Sequence, residues 1–223
     1  LTKNQKLFDE VEKKFKVEKE LLLALWGIET NFGKHVGKMD IISSLATLSF
    51  DKRRSKFFSN ELIILLKLID QKLIDVDALY GSWAGAFGNF QFMPSTIDNY
   101  AIDYDNNSKI ELKESLYDAI ASAANYLNKI GWEYQSSCFY KVKLTKPIPE
   151  KYINTSAKKI KNYLTIKTWK KKGIVGIEQT SDKNKAALVI PDLAFPEGNE
   201  NSPAFLVFGN YEKILKWNRS LRF

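Results

Sequence analysis

The sequence predicts a mainly α protein of the α+β class, with helices first and strands later. Two observations carry this. Apolar residues recur at helical spacing through residues 1–131, and short β-branched or aromatic runs replace them in residues 132–208. Five of the six prolines also lie after position 94, where long helices would not tolerate them. With 223 residues and 44% hydrophobic composition, the chain can bury a core, which excludes a disordered tail. Its length suits one domain, or one with a smaller appendage.

Leu7, Phe8, Val11 and Phe15 form a short apolar stripe between charged residues, a first amphipathic helix. Residues 17–32 continue with Leu21, Leu25, Ile28 and Phe32 at helical spacing, and Gly33 suits the position past the end. A helix over residues 55–73 places Phe58, Leu62, Leu65, Leu66 and Ile69 on one face. Residues 80–94 then break the pattern, with three glycines among aromatics. Pro94 suits the first turn of a short helix through Tyr100. A polar loop follows, and then a helix striped by Leu116, Ile120, Ala123 and Leu127, ended by Gly131.

Beyond Gly131 strands are expected in residues 141–144, 164–169, 187–190 and 205–208. Residues 211–223 return as a final helix. The domain reading is therefore a helical region 1–131, a small strand-containing region 132–208, and a C-terminal helical segment 209–223 returning to the core.

Lys and Arg total 34 and Asp and Glu 26, a formal charge of +8. Such a balance favours an acidic partner: nucleic acid, an anionic membrane or an acidic wall polymer. The lysine runs at 158–161 and 170–172 are read as solvated faces, with anion binding as the other reading. No apolar run reaches the roughly 18 residues of a membrane span. One Cys, Cys138, excludes an internal disulfide framework, and with one His, His35, a zinc site is not expected. The sequence begins at Leu1 rather than Met, so an N-terminal piece is expected to be missing. That says nothing of compartment.

Three segments can carry chemistry. Glu29 sits in Leu25-Trp26-Gly27-Ile28-Glu29-Thr30-Asn31-Phe32-Gly33, near the end of an apolar helix. A carboxylic acid among such neighbours is desolvated, which raises its pKa and keeps a proton to give. The plainer reading is a carboxylate at the polar edge of a buried helix. The second segment is the aromatic-glycine loop, whose small residues let a ligand meet backbone while rings stack on sugars or bases. Ser82 and Gln91 can hydrogen-bond hydroxyls or acetamides; a tight connection packed by its own aromatics is the alternative. The third is Asp103-Tyr104-Asp105-Asn106-Asn107-Ser108-Lys109-Ile110-Glu111-Leu112-Lys113-Glu114. It is similar to an EF-hand loop, with oxygen side chains at positions one, three and five and a backbone carbonyl at Lys109. Ser108 stands where a glycine normally makes the turn, and a plain Asn/Asp-rich turn fits as well.

In this order, the three segments resemble the lytic murein transglycosylase B family. The resemblance extends to Leu45-Ala46-Thr47-Leu48-Ser49-Phe50 with Arg53-Arg54, to Gly81 through Ser95, and to Ala124-Asn125-Tyr126-Leu127. It continues in Pro203-Ala204-Phe205-Leu206-Val207 and Asn218-Arg219-Ser220. It implies a lysozyme-like helical core with an additional helical region and a small strand-bearing insert. It also implies cleavage of the β-1,4 bond between N-acetylmuramic acid and N-acetylglucosamine, with Glu29 as the single acid and base. Ser82, Gln91, Phe92, Tyr126, Arg53 and Arg54 would line the glycan groove. Trp217 and Phe223 fall where the family commonly has tyrosines and are carried over as stacking rings.

The resemblance implies no cofactor for the chemistry and a structural Ca²⁺ on Asp103, Asp105, Asn107, the Lys109 carbonyl and Asp118, the last in preference to Glu114. Glycan strands of peptidoglycan would be the partner, with no nucleic acid, for a monomer in the periplasm or cell envelope. Two alternatives stand beside this. A hydrolytic muramidase or chitinase-like enzyme would need a second carboxylate, for which Asp51, Glu61 and Asp98 are available. A non-catalytic wall-binding or nucleic-acid-binding module would use the charge and aromatics alone.

Overall fold

The computed structural model describes residues 4–191, 203–221 and 223. The chain divides into two compact units, Leu1–Tyr134 and Gln135–Phe223.

The first unit is helical except for one ribbon. Helix α1 (Gln5–Phe15) buries the predicted stripe of Leu7, Phe8, Val11 and Phe15. Helix α2 (Lys19–Thr30) buries Leu22 and Leu25 instead of the predicted line through Leu21, Ile28 and Phe32. Ile28 and Phe32 are 60% and 52% exposed. Apolar side chains run around α2 on every side, from Leu21 to Ile28, so spacing alone does not choose the buried face. The helix ends two residues early because Asn31, Phe32 and Gly33 all take left-handed backbone conformations.

Strands β1 (Met39–Asp40) and β2 (Tyr80–Gly81) pair antiparallel, inside the half that the sequence reads as helical throughout. Two-residue strands are too short to leave an alternation. Asp40 then caps helix α3 (Ile41–Ser49), which the hydrophobic pattern did not reveal, by accepting from the Ser43 amide at 2.6 Å. Helix α4 (Ser55–Asp70) buries Phe58, Glu61, Leu65 and Leu68, while Leu66 is exposed. Helix α5 (Pro94–Tyr100) starts on Pro94, as expected. Helix α6 (Leu116–Lys129) is capped by Ser115 and buries Ile120, Ala123 and Leu127.

Glu61 explains how α5 is held. Met93, its N-cap residue, supplies no side-chain bond. Glu61 of α4 does so from across the core: it is 2% exposed and accepts from the Ser95 amide at 2.8 Å and the Ser95 hydroxyl at 2.7 Å. Both carboxylate oxygens are thereby engaged, which withdraws Glu61 from any role as a water-activating base. Removing these bonds with Glu61→Leu leaves the half-buried Ser95 amide and hydroxyl without their acceptor, at about 1–3 kcal/mol each. A thermal melt is expected to show a fall of roughly 5–15 °C; an unchanged midpoint would refute the cap.

The second unit is built on a six-stranded sheet. Strands β3 (Phe139–Leu144), β4 (Ile153–Asn154), β6 (Ile174–Val175), β7 (Lys185–Val189) and β8 (Ala204–Val207) run in the order β4-β7-β8-β3-β6. Strand β5 (Leu164–Thr165) pairs with β7 beside this path. Among the described residues only β4 and β7 pair in parallel. A strand over 164–169 is corrected: after two residues the chain enters helix α7 (Ile166–Lys171), which Thr165 caps by accepting from the Thr168 amide. Ile166 and Trp169, three apart, then turn to the same core, where the Trp169 indole donates to the Ala186 carbonyl at 2.7 Å.

Helix α8 (Gly209–Trp217) belongs to this unit. Leu215 is buried with Ile160, Ala187, Val189 and Val207, so the segment that the sequence reading set apart packs on the second unit's own sheet. Cys138 is half-buried.

Candidate active site

Glu29 is the penultimate residue of α2 and is half-buried. The apolar side chains beside it on the exposed flank, Ile28 and Phe32, are a surface rather than a core. What fixes this helix end is the residue after Glu29. Thr30 is 1% exposed, and its hydroxyl donates to the Asn89 carbonyl at 2.9 Å while accepting from the Gly33 amide at 3.0 Å.

Asn89 is the second half of that clamp. It is 5% exposed. Its side-chain oxygen accepts from the Trp26 indole at 2.9 Å, and its amide nitrogen donates to the Leu112 and Lys113 carbonyls at 3.0 and 2.9 Å. One side chain thus ties α2 to the glycine loop and to the end of the acidic loop. A Cβ on Gly33, at φ +79°, would meet the Asn89 oxygen at 2.7 Å, so glycine is required there by both backbone and space. Neither Thr30 nor Asn89 was singled out from the sequence. Each sits inside a segment flagged for chemistry, as a polar residue among apolar neighbours, and that was the available signal.

The glycine loop folds on itself. Phe87 and Phe92 pair as an isolated bridge, and Gly85, at φ +90°, leaves no room for a Cβ against Leu45. The Ser82 hydroxyl accepts from the Ala86 amide at 3.0 Å, so its own proton is what it can offer a ligand. The Gln91 amide nitrogen donates to the Val36 and Gly88 carbonyls at 3.2 and 3.0 Å. Its oxygen is the part left for a ligand.

Phe92 is 4% exposed, packed edge-on against Tyr126 and tilted on Phe90. Tyr126 is half-buried between Phe92 and Tyr100, and burial raises its phenol above the usual range. Trp83, predicted only as part of the loop, is 67% exposed at the loop's outer turn.

Arg53 and Arg54 are exposed at the start of α4. The Arg54 guanidinium lies over the Phe57 and Phe58 rings at 4.9 and 4.7 Å. With Lys52, Lys56, Phe57 and Ile63, both arginines line an open depression of about 730 Å³. Asp51 bonds the Arg53 amide, and Asp98 is exposed on α5. Trp217 and Phe223 are half-buried residues of the second unit.

The acidic loop brings Asp103, Asp105 and Asp118 together, with one carboxylate oxygen of each within 4.8 Å of the others. Asp118 is fully buried and accepts from the Tyr104 amide at 2.8 Å and the Glu111 amide at 3.0 Å. Burial nevertheless dominates and holds its carboxyl above the usual range, those amide bonds opposing. Ser108 takes the left-handed conformation, φ 70°, that a glycine would supply, and Asp103 accepts its amide at 2.7 Å. Asn107 accepts from the Lys109 amide at 2.9 Å, which shapes the turn around the Lys109 carbonyl. Glu114 is not among the converging carboxylates of the described residues.

The family model for the transglycosylase SLT domain matches residues 1–223, and the chain belongs to that family. Membrane-bound lytic murein transglycosylase B of Escherichia coli K12 is 42% identical over 117 residues, 52% of this chain and 32% of that one. SltB3 of Pseudomonas aeruginosa, solved with NAG-NAM-pentapeptide, superposes with a TM-score of 0.86 at 31% identity, over 99% of this chain and 57% of that one. The E. coli lytic transglycosylase Slt35, solved with calcium, gives 0.81 at 28% identity over 98% and 66%. The fold is the lysozyme-like lytic transglycosylase fold. The chain spans about a third of the curated relative's length and a little over half of SltB3.

Proposed function

We propose that this chain is a lytic transglycosylase that cleaves the muramic acid–glucosamine β-1,4 bond of peptidoglycan and leaves a 1,6-anhydromuramoyl end. The observation that carries it is Glu29, set at the end of α2 in the family's signature and clamped by Thr30 and Asn89 to the glycine loop. Glu29 protonates the glycosidic oxygen as the bond to the anomeric carbon breaks. It then takes a proton from the muramoyl C6 hydroxyl, whose oxygen attacks that carbon. One carboxyl serves both transfers in sequence. The nucleophile is already attached to the substrate, so its effective concentration is high and no water need be activated. The sealing of Glu61 on Ser95 supports a mechanism without a paired carboxylate.

In this reading Ser82 donates its hydroxyl proton to the glycan and Gln91 offers its oxygen. Ile28, Phe32 and Trp83 supply apolar contact, and Arg53 and Arg54 receive the carboxylates of stem peptides. The chain acts as a monomer in the periplasm or cell envelope. Mass spectrometry of digested peptidoglycan tests the proposal. Anhydromuramoyl ends are expected; reducing ends would replace the intramolecular step by hydrolysis.

Asp103, Asp105, Asn107, the Lys109 carbonyl and Asp118 would hold Ca²⁺. Oxygens bound to one calcium ion at 2.3–2.6 Å lie within about 5 Å of each other, which the three carboxylates satisfy. The ion would stiffen the loop and relieve the buried Asp118 charge. Without it, the raised carboxyl makes folding less favourable as pH climbs from the unfolded carboxylate pKa through the folded one. Calcium at about 100 times its Kd is expected to add about 2.7 kcal/mol, or roughly 5–10 °C in Tm near neutral pH. Chelation should reverse the shift, and Asp105→Asn should remove it. A melt indifferent to calcium would refute the site.

A further inference from the structure

The net charge of the chain belongs to one unit. Residues 135–223 carry 17 lysines and arginines against 7 acids, whereas residues 1–134 carry 17 against 19. The chemistry of Glu29 sits in the slightly acidic unit and does not account for this segregation.

The strand register sorts the second unit's sheet into two faces, because side chains alternate along a strand and directly paired residues point the same way. On one face Val142, Leu188 and Leu206 are closed over by Ile166 and Trp169 of α7. On the other face lie Phe139, Lys141 and Lys143 of β3, Val175 of β6 and Phe205 of β8. Leu215 of α8 covers Ala187, Val189 and Val207 of this second face. The cover stops short of β3. Phe139 is 51% exposed and Val175 42%, and Lys141 and Lys143 are both exposed.

Phe139 is held as well as bare. Its ring stands roughly perpendicular to those of Phe205 and Tyr211, with centroids 5.5 and 6.5 Å away. Lys141 follows on the same face opposite Phe205, and Lys143 follows opposite Val175. Neither lysine has a carboxylate within 4.0 Å among the described residues. The ring and the two ammonium groups therefore form one row, about 13 Å long from Phe139 to Lys143. A fixed ring suits the C–H face of a pyranose, and unpaired ammonium groups beside it suit carboxylates carried by that sugar. Peptidoglycan joins both in one polymer, a glycan strand bearing acidic stem peptides.

We propose that this uncovered strip of the second unit is an additional peptidoglycan-binding platform. Phe139 stacks on a sugar ring of uncleaved strand, and Lys141 and Lys143 receive the free carboxylates of a stem peptide. The proposal rests on peptidoglycan being the polymer, as read above. A chain held on the wall in this way meets the bonds around it at a raised effective concentration.

The test is sedimentation with insoluble peptidoglycan at low salt, using the full chain carrying Glu29→Gln so that the polymer stays intact. Phe139→Leu keeps apolar contact with Phe205 and Tyr211 but removes the flat ring. It is expected to weaken binding about tenfold with little change in melting temperature. Lys141→Gln with Lys143→Gln should weaken binding about fivefold. That lysine effect should vanish on strands stripped of stem peptides by an amidase, while the Phe139→Leu effect remains. The same change at Lys167 and Lys171, exposed on α7 at the opposite face, should leave binding intact. Parental binding by Phe139→Leu, or equal losses from the β3 and α7 lysine changes, would overturn the platform and leave the Glu29 chemistry standing. Platform-dependent binding by a chain that cleaves nothing with Glu29 restored would support the platform and overturn that chemistry. Tighter binding of a single-stranded oligonucleotide through Phe139, Lys141 and Lys143 would assign the strip to nucleic acid and overturn the proposal.

Discussion

Glu29→Gln is expected to lower turnover of peptidoglycan by about 10³-fold or more while the fold survives. General acid or base catalysis by one positioned group contributes typically 10²–10⁴, and here the same carboxyl is asked for both proton transfers. The amide cannot give a proton to the glycosidic oxygen or take one from the C6 hydroxyl. The substitution is close to isosteric at a half-buried position on the last turn of α2. The Thr30 and Asn89 bonds that set this turn do not involve the Glu29 carboxyl. The melting temperature should therefore move little, and affinity for uncleaved glycan should persist. Measuring kcat and glycan binding side by side separates the outcomes. Loss of kcat with retained binding supports the proton-transfer role. Equal turnover in both proteins removes Glu29 from the chemistry. Loss of binding together with a lowered melting temperature would make the residue structural.

The same helix shows what the sequence could and could not carry. Helices α1 and α6 are legible because their apolar stripes are narrow and their other faces charged or polar. Helix α2 was legible as a helix, but its buried face was not, since leucines on several sides compete and tertiary packing, to which α1 and α6 contribute, buries Leu22 and Leu25. The consequence is functional: the unchosen side chains, Ile28 and Phe32, become the apolar surface beside Glu29. The acidic loop was readable because its oxygens follow one another at alternate positions. Asp118 was reached only through the family resemblance, fifteen residues after Asp103. Asn89, Thr30 and Glu61 were out of reach. Their partners lie 63, 59 and 34 residues away in sequence, and a long-range hydrogen bond leaves no periodicity behind.

Asn89→Ala is expected to cost both stability and rate, and it tests whether the clamp matters. The substitution strands the Trp26 indole N–H and removes the donors to the Leu112 and Lys113 carbonyls. An unsatisfied buried group costs about 1–3 kcal/mol. These groups share one side chain, so their costs do not simply add, and a total of roughly 3–4 kcal/mol is expected. That corresponds to a fall of about 6–16 °C in melting temperature. Well below the new midpoint the protein stays folded, and the remaining effect reports position. The glycine loop then keeps the Thr30 bond to the residue-89 carbonyl but loses the Trp26 tie to the helix that carries Glu29, and a misplacement of about 1 Å at a reacting group can cost on the order of 100-fold. Asn89→Asp keeps an acceptor for Trp26 but loses both donated bonds. Its rate should fall between those of the parent and Asn89→Ala. A stability loss with unchanged kcat would reduce Asn89 to a packing bond. A graded loss of kcat across Asp and Ala, measured at one temperature below both midpoints, would place the geometry of Glu29 under the control of this buried amide.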